Sequence, residues 1–292
     1  MERRTKKLLM LMSLRRVKGF GSKKIIDLIN SNSLHYTHKR FYEEDENYRK
    51  IVEEEEKIIN YCYDNKINII SYIDGHYPTK LKEINSPPII LFAKGDIGLL
   101  NKQAISIVGS RESSEKSLNW TYDICQELIE KDYVIVSGGA IGIDTSAHKS
   151  CLDKNGKTIC VLGCGLDEIY PKENKELMQK IERNGLIITE YSPNKRVDKF
   201  SLLERNRITS GLGDKIIVVT TNLKGGSMSQ VKKAISQEKE IFAPGISLSL
   251  QPNDGIKEII KNHQATPIFG SEDLFKNKSR NSSQMDLLKS YS

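Results

Sequence analysis

Between residues 103 and 262 the sequence alternates short apolar runs with segments of helical periodicity, and this alternation restricts the fold more than any other feature. Predicted strands begin at Ala104, Tyr133, Thr158, Leu186, Ile216 and Ile241. Predicted helices lie at about 114–131, 173–183, 202–210, 229–237 and 256–262, and a further helix follows the glycine-rich turn after Val136 and ends near Asn155. Continuously apolar strands joined by helices are typical of a parallel sheet that is buried on both faces. The pattern therefore predicts an α/β fold with a Rossmann-like, doubly wound parallel sheet.

The sequence on either side of this region divides the chain further. We predict a small helical domain over residues 1–66, the Rossmann-like domain over 67–270 and a polar C-terminal tail over 271–292. Proline and glycine residues around two short predicted strands, at 67–72 and 89–93, indicate a connector that leads into the larger sheet. The acidic segment 41–60 is predicted to be one charged surface helix that closes the N-terminal domain.

The first 40 residues hold the basic surplus of the chain. The net charge is +7, but residues 1–40 carry +9 and residues 41–60 carry −5. Within the basic segment, the sequence V-K-G-F-G-S-K-K-I from Val17 to Ile25 resembles the turn of a helix-hairpin-helix or SAM-like domain, where a helix N-terminus meets a nucleic-acid phosphate. A plain helical hairpin with a solvated basic face fits the same residues. Both interpretations remain open.

Composition argues against several classes of protein. No apolar run approaches the length of a membrane span, and the N-terminus lacks a convincing signal peptide, so we expect a cytoplasmic protein without membrane contact. The five cysteines are scattered and none forms a C-x-x-C pair, which argues against a disulfide framework and against a zinc site. We expect neither a metal nor a cofactor.

Polar and glycine-rich turns follow four of the predicted strands. Their members are Gly109, Ser110 and Arg111; Ser137, Gly138, Gly139, Ala140 and Gly142; Gly163 to Lys172; and Lys224, Gly225, Gly226 and Ser227. The carboxyl ends of parallel strands meet at one edge of a sheet, where ligands bind. Backbone N–H groups at such turns and at helix N-termini bind phosphate, and Arg111 and Lys172 add positive charge. The four turns together predict a groove for phosphates.

Individual residues argue against more specific interpretations of these turns, such as a P-loop, a dinucleotide site or a metal site. Gly156-Lys157-Thr158 resembles the end of a P-loop, but Cys151 replaces the required first glycine and a strand follows. The loop after Val136 lacks the G-x-G-x-x-G spacing of a dinucleotide site. Asp144 and His148 lie four residues apart on one predicted helix face. Without a third metal ligand, we interpret them as capping and packing residues.

Five motifs occur in consistent order over roughly Ile69 to Pro267. They are I-V-G-S-R at 107–111, S-G-G-A-I-G-I-D-T-S-A-H at 137–148, V-L-G-C-G-L-D-E-I-Y-P at 161–171, E-R-N-R-I at 204–208 and F-A-P-G at 242–245. Together they resemble the DNA-processing protein A family (DprA, also called Smf). The upstream Tyr77-Pro78 and Pro87-Pro88 are similar to that family's approach to its Rossmann-like domain.

The resemblance implies a protein that binds single-stranded DNA, protects incoming strands and loads the recombinase RecA during natural transformation. It also implies a homodimer with no catalytic activity. By position, it makes Arg111 a direct phosphate contact and the backbone of Ser137 to Gly142 an anion nest. Lys172 and the run Arg205, Asn206 and Arg207 would extend a basic channel of weak sequence preference.

The chain departs from the family pattern at three places. Ile141 replaces a residue that is often basic, and Ser201-Leu202-Leu203 replaces an approach that contains a proline. The first change removes a possible phosphate contact, and the second puts the path into the E-R-N-R-I helix in doubt. We also expect no C-terminal winged-helix-like domain.

The alternative is a nucleotide-binding sensor or a nucleoside-monophosphate phosphoribohydrolase of the related Rossmann-like superfamily. The turn at Gly225-Gly226-Ser227 is similar to the P-G-G-x-G-T-x-x-E pattern of those enzymes, whose glutamate acts on the ribosyl bond. Here Lys224 replaces the proline, and Lys232 stands where the glutamate is required. A positive charge cannot serve as that general base, so we favour a protein that is not an enzyme.

Overall fold

Four helices form the N-terminal part of the chain. The computed structural model describes residues 2–245 and 250–276, so most of the tail predicted at 271–292 lies outside the described residues. The helices are α1 (Glu2–Leu14), α2 (Ser22–Asn30), α3 (Leu34–Glu44) and α4 (Glu46–Asp64). α1 and α2 are joined through Gly19, whose φ of +84° lies in the region that favours glycine. The predicted pair of short helices with a glycine turn is confirmed.

Asp45 divides the acidic segment into two helices, so the single helix predicted over residues 41–60 is wrong. The backbone of Asp45 is extended, with a φ of −126° and a ψ of 110°. Its carboxylate accepts hydrogen bonds from the backbone N–H groups of Asn47 at 2.8 Å and Tyr48 at 3.3 Å. A side chain that satisfies the free N–H groups of a first turn starts a new helix. Two consecutive helices with similar charge conceal such a break from periodicity alone.

The strands form one sheet. Across residues 2–245 and 250–276 they are β1 (Asn68–Ser71), β2 (Ile90–Gly95), β3 (Ala104–Val108), β4 (Val134–Ser137), β5 (Thr158–Val161), β6 (Leu186–Thr189), β7 (Lys215–Val218), β8 (Glu240–Pro244) and β9 (Thr266–Ile268). Their order in the sheet is β1-β2-β6-β5-β4-β3-β7-β8-β9. The six predicted strands are β3 to β8, and neighbouring strands among them run parallel. The doubly wound parallel fold is therefore confirmed.

The sheet extends beyond this prediction at both edges. β1 and β2 are antiparallel to each other, and β2 is antiparallel to β6, so the predicted connector is part of the sheet. At the other edge β9 pairs in parallel with β8, with Phe242 opposite Thr266. A strand of three residues that contains Pro267 carries no readable alternation. Its proline is tolerated because an edge strand leaves one row of backbone groups unpaired.

Helices cover both faces of the sheet. They are α5 (Thr79–Lys82), α6 (Glu115–Glu130), α7 (Ile143–Asp153), α8 (Lys175–Asn184), α9 (Lys199–Leu212), α10 (Gly226–Ser236) and α11 (Asp254–Lys261). Side chains of a strand alternate between the faces: Val134 and Val136 pack with Ile208 of α9, whereas Ile135 packs with Leu128 of α6. None of the helices within the described residues is long and apolar enough to cross a membrane.

The N-terminal helices pack against the antiparallel edge of the sheet. Leu11 of α1 and Tyr48 of α4 belong to one buried cluster with Ile90 and Phe92 of β2. Leu91 lies between those two strand residues and faces the core on the other side of the sheet. β2 thus contributes to both cores, and this sharing crosses the domain boundary predicted at residue 66.

Candidate nucleic-acid interface

A groove lies beyond the carboxyl ends of β3 and β7. These strands are neighbours, but the chain continues from β3 to β4 on one side and later returns to β7 on the other. In open α/β sheets such a reversal leaves a crevice between the loops that follow the two strands. Here the crevice is a cavity of about 410 Å³. It is lined by the loop after β3, the first half of α9 and the turn that begins α10.

The groove continues along the same edge of the sheet past β4 and β5. A smaller cavity shares Arg111, Ala140 and Arg205 with the first and adds Gly163 and Tyr170 from the loop after β5. All four turns predicted to meet at one edge therefore contribute to the walls of this groove. The sequence prediction of a shared edge is confirmed.

Arg111 is the exposed cation at the centre of the groove. Gly109 packs against Ile143, so close that a Cβ at Gly109 would collide with that side chain. The N–H of Ser110 donates to Thr220 Oγ1 at 3.1 Å, which fixes the turn to the end of β7. Arg111 Nη1 lies 3.4 Å from Tyr170 Oη, and its guanidinium carbon lies 6.0 Å from the centre of that ring. The turn is thus anchored at two residues and presents the third to solvent.

The loop after β4 turns its carbonyl groups inwards. The carbonyl of Gly138 faces His148 Nε2 at 3.2 Å, that of Gly139 accepts from Asn174 Nδ2 at 2.9 Å, and that of Ala140 accepts from Thr145 Oγ1 at 2.8 Å. In a trans peptide the N–H group of the next residue points the opposite way. Among the described residues no acceptor is found for the N–H groups of Gly139, Ile141 and Gly142. This arrangement forms an anion nest.

Three members of the predicted nest have structural roles. Ser137 is buried, and its hydroxyl donates to the carbonyl of Ile107 at 2.7 Å, which joins β4 to β3. Gly138 is also buried and faces Arg205 and Asp144. At Gly142 the φ is +81°, and a Cβ would collide with the carbonyls of the Ser110–Arg111 turn. Gly139 is buried as well, so the open part of the nest begins at Ala140.

Arg205 lies in the floor of the groove. Its side chain is 7% exposed, and Nη1 donates to the carbonyl of Val161 at 2.7 Å. Its Nε atom has no hydrogen-bond partner within the part of the chain that the structure describes. The guanidinium lies beside the carboxylate of Asp144. Burial raises the pKa of that carboxyl, and the charge of Arg205 opposes the increase.

Arg207 does not line the groove, so its predicted place in the basic channel is wrong. Its guanidinium binds both carboxylate oxygens of Glu190, at 2.8 and 2.6 Å. Residues two apart on a helix point about 200° apart, so Arg205 and Arg207 cannot share one side of α9. Asn206, between them, does line the groove, and its Nδ2 lies 3.4 Å from the carbonyl of Gly226.

The remaining predicted residues occupy the two ends of the groove. Lys172 is exposed next to Pro171, which lines the smaller cavity, but Lys172 itself lines neither cavity. At the other end Gly225 and Gly226 begin α10, and no atom lies within 4 Å of the position that a Cβ on Gly226 would occupy. Ser227 donates to Thr221 Oγ1 at 2.7 Å and so holds the turn rather than presenting a free hydroxyl.

Asp144 and His148 serve the fold, as their sequence pattern suggests. The carboxylate of Asp144 accepts from the N–H of Ala140 at 3.3 Å, and His148 Nδ1 lies 2.7 Å from Thr158 Oγ1. Burial lowers the pKa of His148 to about 4, so the imidazole is neutral at pH 7. No group of three or more metal-ligating side chains is found among the described residues.

The sequence profile of the family described as DNA recombination-mediator protein A matches residues 68–279. This chain belongs to that family. The DNA processing protein DprA of Streptococcus pneumoniae is 38% identical over 196 residues, which cover 67% of this chain and 69% of that protein. The X-ray structure of DprA from Streptococcus pneumoniae matches with a TM-score of 0.76 at 30% identity, over 92% of this chain and 95% of that one.

A second solved structure is described as showing a single-stranded DNA binding mode of DNA processing protein A from Helicobacter pylori. It matches with a TM-score of 0.64 at 33% identity and covers 77% of this chain and 97% of that one. Both structures share the fold of this family member over the parts of the chain that they cover. The recombination-mediator family is thus shown by sequence and by fold.

In this family member the groove also contains residues that sequence reasoning missed. Asn222 and Gln230 line the larger cavity. Tyr170 lies within the predicted turn of Gly163 to Lys172, but the sequence does not predict its contact with Arg111. Asn174 reaches the nest from the loop that follows β5. Asn222 follows β7 in the polar sequence T-T-N-L-K and could have been suspected from its strand end. Nothing in the local sequence marks the contact of Asn174, because its partners lie 34 and 35 residues away.

Proposed function

We propose that this protein binds the sugar–phosphate backbone of single-stranded DNA in the groove beyond β3, β4, β5 and β7. The observation that carries the proposal is the combination of exposed Arg111 with a backbone nest in which buried or half-buried side chains bind the carbonyls of Gly138, Gly139 and Ala140 on the side away from the groove. Charge and backbone N–H groups recognise phosphate oxygens without reading bases. The relative from Helicobacter pylori, which is described as a single-stranded DNA binder, supports the same role.

We propose further that the bound strand is protected and passed to RecA, with the protein acting as a homodimer in the cytoplasm. Membership of the recombination-mediator family supports this step. RecA loading is measured as the rate of RecA ATP hydrolysis on single strands, with and without this protein. An unchanged rate would limit the function to strand binding, and sedimentation of the free protein gives its oligomeric state.

We also propose that the groove has no catalytic activity. In place of the glutamate of the phosphoribohydrolases, Lys232 is exposed and does not line the groove. Two carboxylates line the larger cavity: Asp144 is buried, accepts from the N–H of Ala140 and lies beside the guanidinium of Arg205, whereas Glu112 is exposed. Incubation with nucleoside monophosphates should leave them intact. Release of free base would instead establish the alternative enzymatic function.

The test is a binding titration with single-stranded and double-stranded oligonucleotides over a series of salt concentrations. We expect the single strand to bind more tightly, and its affinity to fall steeply with salt because each neutralised phosphate releases counterions. Equal affinity for the duplex, or an affinity that salt does not change, would contradict the proposed groove.

Arg111→Ala identifies the central contact. We expect roughly a tenfold loss of single-strand affinity and a salt dependence shallower by about one counterion. Arg183→Ala is the matched control, since Arg183 is exposed in the last turn of α8, just before β6 begins, and so lies at the opposite edge of the sheet. Equal affinities for the two variants would remove Arg111 from the site.

A further inference from the structure

The side chain of Asn174 binds the nest from beneath. Its Nδ2 donates to the carbonyl of Gly139 at 2.9 Å and to Thr145 Oγ1 at 2.8 Å, and lies 3.4 Å from the carbonyl of Ala140. Thr145 in turn donates to the carbonyl of Ala140. Asn174 is 5% exposed, so these bonds are shielded from water. One buried amide thus controls two consecutive peptide groups of the loop.

The position of Asn174 shows that local structure does not account for this contact. Asn174 is the N-cap of α8, where asparagine ordinarily accepts a hydrogen bond from an N–H of its own helix. Here its side chain makes no such bond, although the N-cap role would stabilise α8. The amide is directed instead at a loop that precedes a different helix. A contact between two loops has been formed where a contact within one helix was available.

These hydrogen bonds determine which backbone groups the loop presents to the groove. Peptide planarity couples the carbonyls of Gly139 and Ala140 to the N–H groups of Ala140 and Ile141, which must point the other way. The N–H of Ala140 meets Asp144 Oδ2 at 3.3 Å. The N–H of Ile141 has no acceptor among the described residues, and Ile141 is exposed. Rotation of the Ala140–Ile141 peptide would place a carbonyl oxygen where a phosphate is expected.

We propose that Asn174 is a positioning residue for strand binding, which holds the Gly139–Ala140 and Ala140–Ile141 peptides so that the free N–H of Ile141 faces the phosphate. This inference rests on the proposed function of the groove. Asn174 does not touch the strand, and it carries no charge. Its loss therefore reduces affinity without reducing the number of phosphates that the protein neutralises.

The variant Asn174→Leu tests this role because leucine has a similar size and no donor. We expect single-strand affinity to fall about tenfold while the salt dependence of binding keeps the wild-type slope, in contrast to Arg111→Ala. Asn184→Leu is the matched control, since Asn184 ends the same helix and its side chain donates to Lys180 at an exposed site. Its affinity should equal that of the wild type. A folded Asn174→Leu protein with wild-type affinity would overturn the inference.

Amide NMR spectra of the free proteins provide a readout that does not depend on DNA. In Asn174→Leu the amide resonances of Ala140 and Ile141 should shift, because their peptide planes are released. If the wild type does not bind single strands, the proposed function fails, and these spectra alone decide whether Asn174 orients the loop. Unchanged resonances would contradict the positioning role whatever the binding result.

A second variant covers the case in which Asn174→Leu does not fold. Thr145→Val removes the hydroxyl that links Asn174 to the carbonyl of Ala140 and keeps the shape of the side chain. We expect about a threefold loss of affinity, again with an unchanged salt slope. Wild-type affinity in this variant would count against the linked hydrogen bonds.

Discussion

The loop at Gly138–Gly142 and the turn at Asn222–Ser227 precede two helices at the same groove, yet they are built in opposite ways. In the first, Gly138, Gly139 and Gly142 each lie so close to neighbouring atoms that a Cβ would collide with them. In the second, Gly226 faces open space, and residues 222–224 are exposed. The sequence of each is glycine-rich, but only the first uses its glycines for close packing.

The difference indicates two contributions to one binding surface. The loop at Gly138–Gly142 is fixed before any ligand arrives, because buried side chains hold its carbonyls. Preorganised donors need no rearrangement when an anion binds, and this favours affinity. In the turn at Asn222–Ser227 the restraints lie at the helix end, at Gly226 and Ser227, and residues 222–224 are exposed, so we expect this part to adapt to a strand of variable path. A groove that does not read sequence benefits from one rigid wall and one adaptable wall.

Gly138→Ala should cause the largest loss of stability. If it did not, the contrast between a tightly packed loop and an open turn would fail. The new Cβ would collide with the guanidinium of Arg205 and the carboxylate of Asp144, two buried groups of opposite charge. Displacing the buried guanidinium would break its hydrogen bond to the carbonyl of Val161, at a cost of about 2–3 kcal/mol in the free energy of unfolding. Urea denaturation measures this loss. A stability within about 1 kcal/mol of the wild type would show that the loop is not rigidly packed.

His148, which faces the carbonyl of Gly138, should make the stability of the folded protein depend on pH. Burial lowers its pKa to about 4 in the folded protein, whereas the unfolded chain has an ordinary value of about 6.5. Between these values the unfolded state binds the extra proton, so stability is complete above about pH 6.5 and falls as the pH decreases towards 4. The lowered pKa corresponds to a loss of about 3 kcal/mol by pH 4.

Urea denaturation of His148→Gln at several pH values checks this assignment. The variant should be less stable at pH 7 but should lose less stability between pH 6.5 and 4 than the wild type does. His263→Gln, at an exposed histidine, is the control and should follow the wild-type curve. Parallel curves for all three proteins would show that His148 is not the titrating group.

Much of the fold is predictable because it rests on local patterns. Each of β3 to β8 is a short apolar run before a helix, and buried parallel strands require that composition. The edges are different. At one edge β9 has only three residues, and at the other β1 and β2 are antiparallel. Neither edge repeats the strand–helix unit. Asp45 ends one helix and caps the next, a break that helical periodicity does not register.

The sequence predicts the site only for residues whose position along the chain fixes the direction in which they project. Strand ends place Arg111 and Gly139 at one edge of the sheet, which the sequence predicts correctly. The side from which a helical residue projects depends on the rotation of α9, and this rotation separates Arg205 from Arg207. The contact of Asn174 with the nest depends on how two loops pack together. Such contacts follow from tertiary structure and leave no spacing in the sequence.

Lys224→Ala tests how much the turn at Asn222–Ser227 contributes to single-strand affinity. Lys224 is exposed in the turn before α10, and its charge lies next to the helix N-terminus. We expect about a threefold loss of single-strand affinity and a slightly shallower salt dependence, because a flexible cation adds attraction without fixed geometry. Lys257→Ala, at an exposed lysine of α11, is the control in the same titration. A loss as large as that of Arg111→Ala would mean that this wall is as well ordered as the other.

Gly226→Ala should have the smallest effect, and with the opposite sign from Gly138→Ala. A Cβ at Gly226 meets no atom within 4 Å, and the residue is the first of α10. Alanine restricts the unfolded chain more than glycine and favours the helix, so stability should rise by roughly 0.5 kcal/mol. Single-strand affinity should be unchanged if phosphate at this end meets only N–H groups. A marked loss of affinity would show that the strand approaches this backbone too closely for a methyl group, and that the open turn, like the packed loop, needs its glycine for function.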